Sequence, residues 1–549
     1  MSQARKACSL KRSGGPLPSD KSRLAVWAVF LASAALAGRC YFAHLTWGAP
    51  SPERTRAVMG SLEELKRWAP RMLELRQTYY RALENLLDPA KTFKDNYDKA
   101  YNRHRFEPWA TLPRDAVLDQ MRAFLLGVMN SDEQNTLTSL TQLKNILKPG
   151  FIPGFATFYY GGSYLFLCGA VLKAASLAGV FHLTGDVGYY LFHPEQIRAM
   201  YWLARAMGPA TLFISAVFLW IFMKRRFGLG LACLATTFYL FTPGLVYYAH
   251  LAKPHVYAAS LMAIGLFWCL KILDQPVKKN YLMAGLFLGL SAGALITNLP
   301  VLALLVLAEA LREDWNWRRV VSSRLMWMGL GIALLAYFVT NFHFYIYFRH
   351  FLRSIRTWDE YGAGYGHFLW GNIPPYLKDI WTMQIHWLFL PCLIFGMVTA
   401  FQRKDKGGIL CVFGWALLFV LDLILTRHWG VNLRTIPFFT IFFALALERL
   451  WSLRGGFIPK LVLASAALGL LLDAGQCHFY SFLFKSPMNV EKASVWAQNN
   501  LPRGSSVGIF SGTFGPISMP AFRFLDHRLV NIPDQPAEVF WKESDLPEY

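Results

Sequence analysis

Residues 281–311 read YLMAGLFLGLSAGALITNLPVLALLVLAEAL, a run in which Glu309 is the only charged side chain. A helix that crosses the hydrocarbon core of a membrane needs roughly 20 mostly apolar residues, and its backbone polar groups must be satisfied within the segment. The run is longer than one such helix, and Thr297-Asn298-Leu299-Pro300 interrupts it. The stretch therefore predicts two successive helical segments in a membrane, 281–297 and 299–311.

Apolar blocks of this kind recur from Leu24 to Asp473, separated by short loops rich in Lys, Arg, Gly and Pro. Of the 549 residues, 54% are hydrophobic and 16% are charged, whereas a soluble domain carries roughly 25% charged residues. This composition excludes a water-soluble globular fold, and the 16% of aromatic residues excludes a disordered chain. The sequence predicts an all-α polytopic membrane protein with about 11–13 transmembrane helices, and it lacks the alternating pattern of a membrane barrel.

The net charge is +21, from 55 Lys and Arg against 34 Asp and Glu. Most of the excess fits the rule that cytoplasmic loops of membrane proteins are basic, and no basic patch lies in a nucleic-acid-binding module, so no nucleic-acid partner is expected. Five basic loops can face the cytoplasm together: 224–226, 278–279, 318–319, 403–406 and Arg454. This assignment puts four segments on the outer face, namely 249–254, 349–380, 427–434 and the tail from Ala474. A cell's inner or plasma membrane is the favoured location.

The chain divides into five parts along its length. They are a cytoplasmic N-terminus (1–23), a first transmembrane helix (24–47), an outer-face loop (48–156), a multi-span domain (157–473) and an outer-face tail (474–549). The tail combines a helix-like piece with an alternating, strand-like run, which predicts a small α/β appendage. The number of spans before residue 198 stays open, because a single span at 157–181 conflicts with the count of sides.

The outer-face loop contains an amphipathic helix at 61–88, with Ser61 and Glu64 as a capping box. Pro70 is expected to break or kink this helix. The helix can bind a partner, lie on membrane lipids or pack on the protein's own outer face, and the sequence leaves these alternatives open. A second amphipathic stretch runs over 114–129.

Two adjacent acids, Asp132 and Glu133, stand at the start of a predicted helix in this loop. A carboxylate there can take a proton from an acceptor hydroxyl or amine as a general base. It can also hold a divalent cation, or be an ordinary acid favoured by the positive end of a helix dipole. The dipeptide alone does not decide among these roles.

The neighbouring motifs bear on that question. After the acids, a Pro, aromatic and Gly run leads into the next span: Pro149, Pro153 and Tyr159-Tyr160-Gly161. Four further motifs follow in order: the Gly-rich span Tyr281–Asn298, Tyr365-Gly366-His367, Arg434 with Pro437, and Trp496 through Gly504. In this order, over roughly residues 120–510, the chain resembles the GT-C glycosyltransferases that use polyprenyl-phosphate sugars. Within them it is most similar to the branch of protein O-mannosyltransferases and lipid A aminoarabinose transferases.

The chain departs from that pattern in two places. The relatives usually place their acids soon after the first span, whereas here a long insertion precedes Asp132. Many relatives also have a Ser/His run ending in Asp where this chain has Ala252-Lys253-Pro254-His255.

The resemblance implies that Asp132 is the catalytic base and Glu133 its neighbour. It also implies a polyprenyl-phosphate sugar donor and a lipid, glycan or protein acceptor at the outer face. The donor phosphate needs cations near the outer leaflet. The candidates are Arg434, Lys253, Arg427 and His428, with His255 and His367 for a phosphate or sugar hydroxyl. Each of these cations can instead be a juxtamembrane charge that reaches the interface.

No Cys/His spacing suits zinc, so no metal ligands are assigned. No cofactor is expected, and a divalent cation at the acids stays open. Two other kinds of function remain alternatives to a glycosyltransferase. One is a transporter or flippase of a lipid-linked substrate, and the other is a non-catalytic membrane assembly protein that docks through its outer-face loop.

Overall fold

The computed structural model describes residues 20–86, 107, 109–148, 158, 160–358, 373–425, 429–453, 455–485, 489–509 and 519–532. Nearly all of the regular structure in these ranges is helical, and two short strands form the one sheet found there. The prediction of an all-α chain with a small C-terminal α/β appendage is confirmed.

The N-terminal part holds a long apolar helix followed by shorter, more polar ones. These helices are α1 (Asp20–Phe42), α2 (Pro52–Met59), α3 (Leu62–Leu86), α4 (Arg114–Leu126) and α5 (Ser131–Leu143). Helix α3 buries Leu65, Ala69 and Met72 against its neighbours and continues through Pro70. A proline inside a helix removes one backbone hydrogen bond, and its ring clashes with the preceding turn. Helix α3 does not break at Pro70, because its apolar face is packed on both sides of this residue.

The middle and C-terminal parts form a helical bundle. Its helices are α6 (Gly162–Leu177), α7 (Val187–Phe192), α8 (Pro194–Phe227), α9 (Leu229–Leu240), α10 (Pro243–Ala249), α11 (Pro254–Asp274), α12 (Lys278–Ala294), α13 (Ala303–Arg312), α14 (Trp317–Ser322), α15 (Arg324–Thr340), α16 (Phe342–Ile346), α17 (Phe348–Trp358), α18 (Ile373–Asp379), α19 (Leu390–Gln402), α20 (Lys406–Leu425), α21 (Ile436–Ser452) and α22 (Phe457–Lys485). A π-helix at Ile380–Gln384 and short 3-10 helices at Ile296–Leu302, Trp387–Phe389 and Trp429–Thr435 connect them. Helix α22 continues past Asp473, where the apolar block of the sequence ends.

Four helices in the described ranges are long and apolar enough to cross a membrane: α1, α8, α11 and the helix that begins at Phe457. The bent pair α9 and α10, with 51° between its halves, makes a fifth if counted as one span. In α11, 89% of the most apolar window is buried inside the protein, against 17% in α1. Helix α11 is therefore the centre of the bundle, and α1 presents its apolar surface outward. The expected number of about 11–13 spans stays a prediction.

The interruption predicted at Thr297–Pro300 is present. Helix α12 ends at Ala294, and the chain then forms the 3-10 helix Ile296–Leu302, which contains Pro300, before α13 begins. Close packing fixes α12 against α15. A Cβ added at Gly285 would lie 2.0 Å from the carbonyl oxygen of Gly329, so only glycine allows this approach.

The two ends of the bundle carry different segments of the chain. Several of the predicted cytoplasmic basic loops meet at one end, where Arg226 pairs with Asp405 at 2.6 Å and Lys406 pairs with Asp314 at 2.8 Å. The other end carries the segments around Leu45, Glu133 and Ala252, which hydrogen bonds join. We call this second end the Glu133 end.

The C-terminal tail packs on the N-terminal segment that follows α1. It contains α23 (Asn489–Asn500) and the parallel strands β1 (Ser506–Ile509) and β2 (Arg528–Asn531). Thr111 from the N-terminal segment pairs with Val530 beside β2. A shared apolar core, which includes Met72, Phe124 and Phe524, joins the two segments into one unit.

Candidate active site at the Glu133 end

A buried ion pair between Glu133 and Arg205 organises this end. Both side chains have zero exposure, and the guanidinium binds the carboxylate through two hydrogen bonds of 2.9 and 2.7 Å. The third guanidinium nitrogen, Nη1, donates to the carbonyl oxygens of Leu45 (2.7 Å) and Trp47 (2.6 Å). The carboxylate also accepts a hydrogen bond of 2.5 Å from the backbone N–H of Ala252.

This network fastens four separate segments of the chain to one another. A buried charge is tolerated when it is paired and its remaining hydrogen-bonding groups are satisfied. Here those groups are backbone atoms of the loop after α1 and of the loop before α11. The Glu133 carboxylate therefore makes these hydrogen bonds inside the protein, and in this arrangement it holds α8 and the loop before α11 in position.

Asp132, the adjacent acid, points the other way. Its side chain is 46% exposed, and its Oδ2 accepts a hydrogen bond of 2.6 Å from the ammonium of Lys253, which is only 9% exposed. Asn130 caps helix α5, because its side-chain oxygen accepts from the backbone N–H of Asp132 at 3.1 Å. The hydroxyl of Thr136, one turn further along α5, donates to the carbonyl oxygen of Ala252 at 2.6 Å. The first turn of α5 thus docks on the segment that carries Lys253.

The sequence grouped Asp132, Glu133 and Lys253 on one face of the membrane, and the structure brings these three together. His255, two residues beyond Lys253, is half-buried, and its ring lies 5.6 Å from that of Tyr248. The site combines a half-exposed carboxylate, a neighbouring cation and a rigid buried pair behind them. It can take up a proton at Asp132 and bind an anion at Lys253.

Arg434 lies just before α21 and is 2% exposed. Its Nη1 donates to the carbonyl oxygen of Thr297 and, at 3.0 Å, to the side-chain oxygen of Asn298. Asn298 in turn donates to Ser291, whose hydroxyl donates to the carbonyl oxygen of Ala258 in α11. These contacts make Arg434 the residue that holds the interruption after α12 in place.

The remaining predicted site residues, His367, Arg427 and His428, lie outside the described residues, as do Pro149, Pro153 and Tyr159. In the described part of the chain, no three His, Cys, Asp or Glu side chains come together as a metal site would require. Asp132 and Glu133 do not converge on a common point, because Arg205 holds the second carboxylate inside.

Arg205 was missing from the sequence-based site, although a signal for it exists. It stands inside the apolar block of 199–223, and a charged side chain within a membrane helix usually has a specific partner. Asn298 was named only as part of an interrupted run. Its partner Arg434 lies far along the chain, so no local pattern pointed to the contact.

No family model matches the chain, and no curated protein matches it. Among solved structures, the chain is similar to ArnT from Cupriavidus metallidurans bound to undecaprenyl phosphate. This match has 13% identity and a TM-score of 0.46, over 77% of this chain and 86% of that one. The apo state of the same protein gives 14% identity and a TM-score of 0.42, over 70% and 80% of the two chains.

The chain is also similar to the archaeal oligosaccharyltransferase AglB from Archaeoglobus fulgidus, in complex with an inhibitory peptide and a dolichol-phosphate. That match has 10% identity and a TM-score of 0.39, and it covers 72% of this chain and 61% of the archaeal one. At these values the likeness concerns the path of the chain alone.

Proposed function

We propose that this protein is a membrane glycosyltransferase that moves a sugar from a polyprenyl-phosphate-linked donor to an acceptor at the outer face. The observation that carries the proposal is the pair of Asp132 and Lys253. A half-exposed carboxylate and a cation lie 2.6 Å apart beside a rigid buried network. A carboxylate can accept a proton and an ammonium can bind phosphate, and such a transfer needs both functions.

The proposed reaction forms one bond and breaks another. An acceptor hydroxyl or amine attacks the anomeric carbon of the sugar, and its proton goes to Asp132. The bond between that carbon and the phosphate oxygen breaks, and polyprenyl phosphate leaves with the electron pair. Lys253 stabilises the negative charge that develops on this phosphate.

The ion pair couples donor binding to the availability of the base. In the described structure, the ammonium of Lys253 neutralises Asp132. A donor phosphate at Lys253 would compete for the same ammonium. The carboxylate then becomes available to accept a proton only when the donor is in place. Glu133 and Arg205 act as positioning residues, because they fix α5 and the loop before α11 on which the pair stands.

We also propose donor-binding roles for the other residues that the sequence predicted. Arg434, His255, His367, Arg427 and His428 are proposed to contact the donor phosphate or the sugar. For Arg434 the contacts in the structure are with the protein itself, so its proposed effect on the donor acts through the position of the Thr297–Asn298 segment.

The proposal is tested with Asp132→Asn and a matched control, Asp115→Asn. Asp115 on α4 is also paired with a cation, Arg71, and its side chain is 49% exposed against 46% for Asp132. Cells lacking the chain are complemented with each variant, and their glycans and lipid-linked sugars are compared by mass spectrometry. We expect Asp132→Asn to lower the amount of glycosylated product about 10²–10⁴-fold and Asp115→Asn to leave it unchanged.

The same variants purified in detergent separate the enzyme from a transporter or flippase. Detergent micelles have no two compartments, so only an enzyme can form a covalent product from an extract of lipid-linked sugars. Wild-type product formation by Asp132→Asn would eliminate Asp132 as the base. The absence of any product with the wild-type protein, in cells and in detergent, would eliminate the glycosyltransferase.

A further inference from the structure

A cavity of about 620 Å³ lies between the loop after α1 and the C-terminal tail. Its volume falls within the range of roughly 300–1,000 Å³ that is usual for ligand sites. The neighbouring Glu133–Arg205 pair is not among its lining residues. The cavity adjoins that pair at the loop of Trp47, whose carbonyl oxygen accepts from Arg205, and at α8, which carries both Arg198 and Arg205. It is thus a separate space beside the proposed active site.

Basic side chains dominate the polar lining. Four Lys or Arg residues and one His face two Glu residues, and they are Arg54, Arg56, Arg198, Lys485, His44, Glu53 and Glu491. Hydrogen bonds fix Arg54, which donates to the carbonyl oxygens of Gly127 at 2.7 Å and Gly48 at 2.9 Å, above the ring of Phe124. The cavity therefore carries an excess of positive charge, part of it on a rigidly held guanidinium.

Two helices begin at this cavity. Residues from the first turns of α2 and of α23 line it, among them Ser51, Glu53 and Val490. Backbone N–H groups at the start of a helix, together with the helix dipole, attract anions. Glu53, in the first turn of α2, is one anionic group that already lies in the positive field of a helix N-terminus. Hydrogen bonds from its own backbone N–H and from Ser51 hold the pKa of its carboxyl below the usual value.

The cavity also borders the apolar surface of the bundle. Helix α1 ends at Phe42, two residues before the cavity begins, and Lys485 at the end of α22 lines it. Both helices present most of their apolar windows outward, with 17% buried in each. A ligand here can place an anionic group against the basic residues and an apolar tail along α1 or α22.

From these observations we infer that this cavity binds a phosphate-bearing head group, either of a membrane lipid or of a soluble phosphate ester. The recognition chemistry is charge-assisted hydrogen bonding from Arg56, Arg198 and Lys485 to phosphate oxygens. The inference is independent of the proposed transfer, because none of the lining residues belongs to the Asp132–Lys253 pair.

The test measures binding to the full-length protein in a neutral detergent. The lipid probe is phosphatidic acid, with diacylglycerol of the same chains as its uncharged counterpart, and the soluble probe is glycerol 3-phosphate. We expect phosphatidic acid, or both phosphate compounds, to raise the thermal unfolding temperature and to bind in native mass spectrometry. Binding of both phosphates indicates a soluble source, and binding of phosphatidic acid alone indicates a lipid. Equal effects of diacylglycerol and phosphatidic acid, or no binding by either phosphate, would overturn the inference.

The double variant Arg56→Gln and Lys485→Gln removes two of the cavity's cations and should weaken binding at least roughly tenfold. The matched control is Arg67→Gln with Arg503→Gln, two well-exposed arginines that are not among the lining residues. Equal losses in both double variants would show a general charge effect and overturn the site. Lys253→Met removes the cation of the proposed donor site and none of the cavity's cations, so it should keep full binding. Loss of phosphate binding in Lys253→Met would place the phosphate at the donor site and overturn the inference, whereas loss of transfer alone would leave it standing.

Discussion

At the scale of single residues, Arg205 has the largest structural role at the Glu133 end. It binds one carboxylate and two backbone carbonyl oxygens, and the side chains of Arg205 and Glu133 both have zero exposure. Replacing two buried partners together is often tolerated, whereas removing one of them leaves an uncompensated charge inside the protein. Replacing Arg205 alone should therefore cost more stability than replacing Arg205 and Glu133 together.

Arg205→Met is expected to destabilise the protein by about 3–5 kcal/mol, because Glu133 then stays buried without its cation. The double variant with Glu133→Gln should recover part of this loss, since no charge remains buried. Thermal unfolding of the purified variants in detergent measures both effects. An unfolding temperature of Arg205→Met equal to that of the wild type would contradict the structural role of the pair.

Lys253→Met tests the cation of the candidate site. We expect the KM for the lipid-linked donor to rise at least roughly tenfold, because a charge-assisted contact to phosphate is lost, and Lys253→Arg to lie between this variant and the wild type. The control is Lys66→Met, which removes an exposed lysine that pairs with Glu63 on α3. A donor KM that is the same in Lys253→Met and in Lys66→Met would remove Lys253 from the donor site.

At the scale of elements, the break between α12 and α13 depends on a specific contact with Arg434. The 3-10 helix after α12 leaves backbone carbonyl groups without partners inside the helix, and Arg434 donates to one of them, that of Thr297. The same guanidinium binds the side chain of Asn298. A lysine at this position keeps the charge but cannot reproduce a fork of planar donors.

Arg434→Lys and Asn298→Ala are therefore expected to be coupled. Each should lower the unfolding temperature, and the double variant should lower it less than the two single effects combined, with a coupling of about 0.5–3 kcal/mol. Donor KM measured on the same proteins shows whether the segment also serves the donor. Strict additivity of the two substitutions would mean that their contact contributes nothing.

The elements themselves were largely predictable, and the reason is physical. Asn130 and the acids after it mark the start of α5, and the Pro300 segment marks the break after α12, because both signals are local. The pairing of Glu133 with Arg205 joins positions 72 residues apart. Nothing in a local pattern specifies such a contact. From the sequence, Glu133 was therefore predicted only as the neighbour of the catalytic base, and Arg205 was not predicted as its partner.

At the scale of the whole molecule, the predicted cytoplasmic basic loops and the candidate active site lie at opposite ends of the bundle. The Arg226–Asp405 and Lys406–Asp314 pairs lie at one end, and the Glu133 end lies at the other. The rule that cytoplasmic loops are basic predicts that the first of these ends faces the cytoplasm. The candidate active site and the cavity beside the tail then face outward.

Single cysteines at two exposed positions test this orientation. Arg503→Cys lies in the tail, and Arg318→Cys lies on α14 among the basic loops. We expect a membrane-impermeant thiol reagent to label position 503 in intact cells and position 318 only after permeabilisation. The seven cysteines of the described residues are buried, and Cys8, which lies outside those residues, is replaced by serine in both variants to keep the background low. The reverse labelling pattern would place the candidate site in the cytoplasm.

The position of Arg205 in the chain also has a consequence for biosynthesis. A ribosome makes Leu45, Trp47 and Glu133 before it reaches Arg205, and only Ala252 follows. When α8 enters the translocon, its arginine would meet hydrocarbon at a cost of about 2.5–3.5 kcal/mol if it stood alone. The carboxylate that neutralises it has by then already been synthesised, so the counter-ion precedes the ion in the order of translation.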